Sequence, residues 1–139
     1  MSGNGMLHFR VIDDRNLLRR RTMVEKWIEE IKGSVDPEML GMLLVHNGVV
    51  RASSKQGDHV KGMRLTYDRD LLEAVIAEAR GRDGIAGVRA WINEGDLKVG
   101  DDIMFVLVAG RFRTDVLPVL QHLLGRIKNE VVHEEEVLP

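Results

Sequence analysis

A chain of 139 residues with 44% hydrophobic residues, three prolines and no cysteine has the length and composition of one globular domain. Twenty basic against 22 acidic side chains leave a net charge of -2, which supplies no global basic field for nucleic acid or an anionic membrane, so any anion site must be local. The missing cysteine excludes a disulfide framework, thiolate chemistry, and zinc or iron–sulfur sites built on thiolates of this chain. No apolar run approaches the roughly 18 residues of a membrane span, and Met1-Ser2-Gly3-Asn4-Gly5 lacks the basic and apolar regions of a signal peptide. The expectation is a cytoplasmic protein with one domain over 1–139 and a short charged tail from about Val131.

Met6 to Val11 alternates loosely between Gly5 and Asp13-Asp14 and predicts a short strand. The period then changes. From Leu17 to Ile31 the apolar residues Leu17, Leu18, Val24, Trp27, Ile28 and Ile31 fall mostly on one stripe, which predicts an amphipathic helix closed by Gly33. Gly41 to Arg51 is a nearly continuous apolar run and predicts a strand near the centre of a sheet. Small polar residues over Ala52 to Asp58 predict a loop, and Val60 to Tyr67 a strand that completes a hairpin with the one before it. Asp68 is placed to cap a helix from about Arg69 to Arg80, whose buried stripe is Leu71, Leu72, Val75, Ile76 and Ala79, with Gly81 and Gly84 closing it.

Val88 to Asn93 and Asp102 to Ala109 predict two further strands joined by a tight exposed connection over Glu94 to Asp101. Thr114 reads as the cap of a last helix with the stripe Val116, Leu117, Val119, Leu120, Leu123, Leu124 and Ile127, and Pro118 sits in its first turn, where a missing amide hydrogen costs little. The tail from Val131 to Pro139 has no clear period. This interleaving predicts an α+β domain in which helices flank a largely antiparallel sheet.

The polar motifs are weak taken singly. His133-Glu134-Glu135-Glu136 reads as a solvated charged tail rather than a metal site, and His46, inside an apolar strand, as a partly buried histidine making one hydrogen bond. His8, His59 and His122 add no useful spacing, and the common nucleotide-binding and serine-hydrolase signatures are absent. The placement of cations at element ends is more informative. Arg51 closes an apolar strand, Arg111 and Arg113 lie between the last strand and the last helix, and Lys128 ends that helix. Arg113 would stand beside helix amides that favour an anion, and a guanidinium grips phosphate or carboxylate through two parallel hydrogen bonds. The alternative is solvated surface arginine, with Lys128 complementing a helix C-terminus.

From about Met6 to Lys128 the order and wording of the segments resemble the catalytic (large) subunit of molybdopterin synthase. The resemblance rests on Gly41-Met-Leu-Leu-Val-His-Asn-Gly-Val-Val-Arg51, similar to a Gly-Ala-x-x-x-Phe-x-Gly-x-Val-Arg strand, and on Gly95-Asp-Leu-Lys-Val-Gly-Asp101 followed by Ile103-Met-Phe-Val-Leu-Val108. Its third piece is Arg113 opening a helix that ends in Lys128, similar to a Ser-Ala-His-Arg segment and its following helix. The resemblance implies an α/β-hammerhead-like fold, a homodimer, and a ubiquitin-like small-subunit partner whose Gly-Gly tail carries a C-terminal thiocarboxylate. It implies transfer of two sulfurs to cyclic pyranopterin monophosphate (precursor Z), giving the dithiolene of molybdopterin in molybdenum cofactor biosynthesis, with no cofactor held by this chain and no nucleic acid or membrane partner. Carried over residue by residue, Arg51 and Arg113, with Arg111 beside them, would bind the pyranopterin substrate, and Lys128 would be the catalytic lysine nearest the thiocarboxylate.

The chain departs from that pattern at several positions. The family's histidine is Phe112, its His-Arg pair before the Gly-Asp-Leu turn is Ile92 and Asn93, and its second lysine aligns with Glu135. A carboxylate in place of a lysine opposes an anionic substrate, so Glu135→Lys is expected to raise activity. A paralogue that keeps the fold and dimer as a non-catalytic binding or regulatory module is the alternative reading.

Overall fold

The computed structural model describes residues 14–139, and the strand expected over Met6 to Val11 lies outside the described residues. In chain order the elements are α1 (Asp14–Ser34), a 3-10 turn (Pro37–Met39), β1 (Met42–Val49), β2 (Gly62–Tyr67), α2 (Arg69–Arg80), β3 (Ile85–Ile92), β4 (Gly95–Lys98), β5 (Asp102–Gly110), α3 (Arg113–Arg126), a π-helical turn (Ile127–Val131) and β6 (Val132–Val137). Among the described residues two three-stranded antiparallel sheets result, ordered β1-β5-β3 and β4-β2-β6, so the expected α+β class with antiparallel strands and flanking helices is observed, divided between two sheets.

The division follows from which apolar runs are covered on both faces. Residues 103–110 of β5 are all buried: Val106 and Val108 face the main core with Val75, Val116, Leu120 and Leu123, while Leu107 and Ala109 pack under Ile31 of α1. A strand enclosed on both faces reads as a continuous apolar run, and β5 is that strand. Among the described residues the run Gly41 to Arg51, expected near the centre, stands at the edge of its sheet as β1 instead, with Val45 and Val49 exposed at 42% and 47%. The two runs look alike in composition, and only the helices packed over each distinguish them.

The expected hairpin between the second and third apolar segments does not form, because β1 and β2 belong to different sheets. Met63 and Leu65 of β2 are buried, and Met63 pairs with the buried Leu97 of β4, inside the connection expected to be a simple turn. The tail expected to be without period is β6, which pairs along the whole of β2 from Gly62↔Val137 to Tyr67↔Val132. A carboxylate-rich strand at a sheet edge is a recognised device against edge-to-edge pairing, and it is also why period-2 hydrophobicity is missing there.

At the helix starts, Asp68 behaves as expected: its Oδ1 accepts from the Leu71 amide at 3.0 Å. Thr114 does not cap α3. The helix begins one residue earlier, the Ncap position is Phe112, and no side chain caps it; Asp115, in the first turn, supplies the negative charge favoured at a helix N-terminus. Gly84 sits on the other side of Asp115 with φ +79°, a left-handed conformation open to glycine, and a Cβ added there would collide with the Asp115 carboxylate.

On the surface, Glu78 of α2 pairs with Arg82 at 2.9 Å and with Arg126 of α3, and Arg126 reaches Glu130 at 2.9 Å, so a chain of charges joins the two helices. The Arg82 hydrogen bond, aided by the Arg126 charge, holds the Glu78 carboxyl below its ordinary value, and Arg126 does the same for Glu130.

Gly84→Ala is expected to lower stability by about 1–3 kcal/mol, from the left-handed backbone and the lost room for Asp115, read as a lower thermal midpoint. Depressed carboxyl values stabilise the fold above the unfolded-state pKa and lose that effect as pH falls through the folded-state values. The thermal midpoint is therefore expected to drop between about pH 5 and pH 3, and to drop less steeply in Arg126→Ala.

Candidate functional site

Arg51 follows the end of β1, where the Val50 amide donates to the Asp101 carbonyl at 2.9 Å and the Gly100 amide to the Val50 carbonyl at 2.8 Å. Its exposed guanidinium donates through Nε to the Ser53 carbonyl at 2.8 Å. The loop beyond returns toward the second sheet, with the Val60 amide donating to Ala52 at 2.9 Å and the Lys61 amide to Val137 of β6 at 2.7 Å. Arg51 therefore borders the β4-β2-β6 sheet.

Arg111 and Arg113 occupy the other end of the first sheet. Arg111 is half-buried and committed: Nη2 lies 3.4 Å from Asp83, Nε lies 3.4 Å from Asp115, and the guanidinium sits 5.8 Å above the Phe112 ring. Two carboxylates offset its charge. Arg113 is exposed at the first position of α3, and Phe112 between them is 63% exposed.

Lys128 is not the last residue of a regular helix. The α-helical ladder ends at Arg126, and one wider π-helical turn carries Lys128 outward while Ile127 and Val131 on either side are buried. That turn is anchored by the Asp68 amide, which donates to the Val131 carbonyl at 3.0 Å. The chain then reverses into β6, and Glu134 comes back over Lys128 with Nζ to Oε2 at 3.1 Å. Side chains alternate along a strand, so Glu134, opposite Leu65, and Glu135, opposite Arg64, face opposite sides of the sheet. Glu135, aligned in sequence with a second lysine, is turned away from Lys128 toward Arg64, whose Nε is bound to Asp96 at 2.9 Å; Asp96 first and Glu135 after it hold the Arg64 guanidinium above its ordinary value. The carboxylate that meets Lys128 is Glu134. Reading the tail as a strand would have put Glu134 and Glu135 on opposite faces; the pairing with β2 decides which of them meets Lys128.

The four cations do not meet at one point. Met42 pairs with Gly110 and Val49 with Asp102, so β1 and β5 set Arg51 apart from Arg111 and Arg113 by about eight residue steps, roughly 25 Å. Arg111 and Arg113 share one end of the first sheet, whereas Arg51 and Lys128 border the second. A single phosphate cannot be held from both ends of one chain.

Burial lowers the pKa of half-buried His46 and favours its neutral form. Asn93, where the resemblance expects a basic residue, donates to the Asp102 carbonyl at 2.9 Å and helps line a cavity of about 350 Å³ with Arg19, Arg20, Met23 and Trp91. No cluster of three or more metal-ligating side chains occurs among the described residues, the tail glutamates included, and no helix among them is long and apolar enough to cross a membrane.

The fold is thus α+β, with antiparallel sheets flanked by helices. The family model described as MoaE protein matches residues 20–130, and the chain belongs to that family, which assigns it to molybdenum cofactor biosynthesis. Among solved structures, it is similar to molybdopterin synthase from Staphylococcus aureus, with TM-score 0.63 and 17% identity, over 80% of this chain and 83% of that one. It is similar to a complex of subunits 1 and 2 of molybdopterin-converting factor from Helicobacter pylori 26695, with TM-score 0.66 and 17% identity, over 86% and 78%. The MoaE protein from Burkholderia ambifaria MC40-6 aligns with TM-score 0.62 and 22% identity, over 83% and 79%. No curated protein matches the chain significantly.

The different commitments of the two arginines are separable. Arg111→Ala is expected to cost up to about 1 kcal/mol by leaving Asp83 and Asp115 unpaired, whereas Arg113→Ala leaves the denaturant midpoint unchanged. Equal midpoints for the two variants would refute this assignment.

Proposed function

We propose that this chain is the catalytic subunit of a molybdopterin synthase. It receives sulfur from the C-terminal thiocarboxylate of a ubiquitin-like small subunit and transfers it to cyclic pyranopterin monophosphate, forming the dithiolene of molybdopterin. The observation that carries this reading is that the family match over residues 20–130 contains Arg51, Arg111, Arg113 and Lys128. The similarity to a solved complex of two molybdopterin-converting-factor subunits supports a small-subunit partner. The reaction belongs in the cytoplasm and requires no cofactor held by this chain.

The chemistry fits the cations. A phosphorylated pterin and a thiocarboxylate are both anionic. The thiocarboxylate sulfur bonds to a pterin carbon, whose oxygen leaves as water. A second water then adds to the resulting thioester, so that negative charge builds on the acyl oxygen before the acyl C–S bond breaks and the small subunit leaves as its carboxylate. The Lys128 ammonium stabilises that charge, and the guanidiniums hold the substrate phosphate. With Arg51 and Arg113 roughly 25 Å apart along one chain, a substrate that uses both is bound between two copies. A two-fold axis that brings the Arg51 end of one copy to the Arg113 end of the other builds two such sites at once, and this reading includes a homodimer, with the small subunits completing a heterotetramer.

Glu134 against Lys128, and Phe112 in the histidine position, favour a second reading, a non-catalytic paralogue that retains partner binding. A single-turnover assay with precursor Z and thiocarboxylated small subunit separates the two readings. Product above a partner-only control supports the synthase, and binding without product supports the paralogue. Under the first reading Lys128→Ala is expected to reduce the single-turnover rate by about 10²–10³-fold without moving the thermal midpoint, because Lys128 is exposed. An unchanged rate, or unfolding of the variant, would overturn its catalytic assignment.

A further inference from the structure

Glu134 lies outside the residues matched by the family model, and nothing in the resemblance assigns it a role. Its position is nevertheless closely determined. Six consecutive register pairs hold β6 against β2, and the pair opposite Glu134 is Leu65, a fully buried residue, so the Glu134 side chain leaves the strand on the inward face. There it is the less exposed member of its ion pair, at 21% against 58% for Lys128. Lys128 in turn is carried on a turn anchored by buried Ile127 and Val131. Both charges are thus presented by backbone fixed elsewhere in the fold, which holds the carboxylate and the ammonium within reach of each other.

We propose that Glu134 is a specificity-determining residue of the Lys128 site. Its carboxylate takes the place on the ammonium that the terminal carboxylate or thiocarboxylate of a partner tail would take, and the tail binds by displacing it. This rests on the reading of Lys128 as the residue that receives the tail. In place of a free ammonium the site presents a neutral pair. It therefore discriminates against anions that do not bring enough further contact to pull Lys128 away from Glu134, and it raises the requirement for the rest of the tail to fit. Glu135 takes no part, since alternation turns it to the opposite face of the strand, beside Arg64.

The test uses a short synthetic peptide ending in Gly-Gly with a free carboxylate, and the same peptide as its C-terminal amide. Each is titrated into the full-length wild-type protein, Glu134→Gln, Glu134→Ala and Glu135→Gln, while the Lys128 side-chain resonances are followed by NMR. The expected result is that both Glu134 variants bind the acid form about fivefold more tightly than wild type, with amide affinity unchanged and Glu135→Gln indistinguishable from wild type. If acid is preferred to amide in every protein but the Glu134 variants gain nothing, Lys128 receives the tail and the role of Glu134 is overturned. If acid and amide behave alike in every protein and Lys128 does not respond, the reading of Lys128 itself falls, and this inference falls with it.

Discussion

The rest of this structure depends on the burial of β5 on both faces. One face of the strand meets α2 and α3 through Val106 and Val108, and the other meets α1 through Leu107 and Ala109. Both of its edges are hydrogen-bonded, to β1 and to β3. Because the strand is enclosed, its ends are where polar groups can emerge. Asp101 and Asp102 emerge at one end, where Val50 and Arg51 are tied, and Arg111 to Arg113 at the other. The length of a buried strand therefore sets the distance between Arg51 and the pair Arg111 and Arg113.

The second sheet meets a different constraint. Its edge strand β6 follows directly on a helix, and the change of direction is accomplished by one π-helical turn whose ends, Ile127 and Val131, are buried. Such turns are rare and occur often at functional sites, because the extra residue re-aims side chains without unfolding the helix. Here the re-aimed side chain is Lys128, and the strand that follows supplies the carboxylate that meets it.

The electrostatics form a hierarchy of commitment. Arg111 is held by Asp83 and Asp115, beside a glycine that admits no side chain. Arg126 is committed to Glu78 and Glu130. Among the described residues, Arg51 is held by a backbone carbonyl, Arg113 is exposed, and Lys128 is balanced by Glu134. Residues of one charge type, a few positions apart in sequence, are thus divided into scaffold and site by what packs beside them. Surface ion pairs contribute about 1 kcal/mol or less each, so the value of these contacts lies in orientation more than in stability.

What the sequence by itself determined is local. Asp68 as a helix cap, the buried positions Leu72, Val75 and Ala79 of α2, the strand at Asp102 to Ala109 and the positions of cations at element ends all follow from period and side-chain chemistry within a few residues, whereas Leu18 and Leu117, expected on buried stripes, are exposed. The segments similar to a known family were legible for the same reason. What only the tertiary structure decided is non-local: which of two similar apolar runs is central, that β1 and β2 do not pair, and that a charged tail completes a second sheet. Strand pairing joins residues distant in the chain, and a one-residue difference in register reverses the face a side chain occupies. That is why Glu134 rather than Glu135 meets Lys128: neighbours in sequence are separated by the plane of the sheet, and only the pairing of β6 with β2 says on which side each falls.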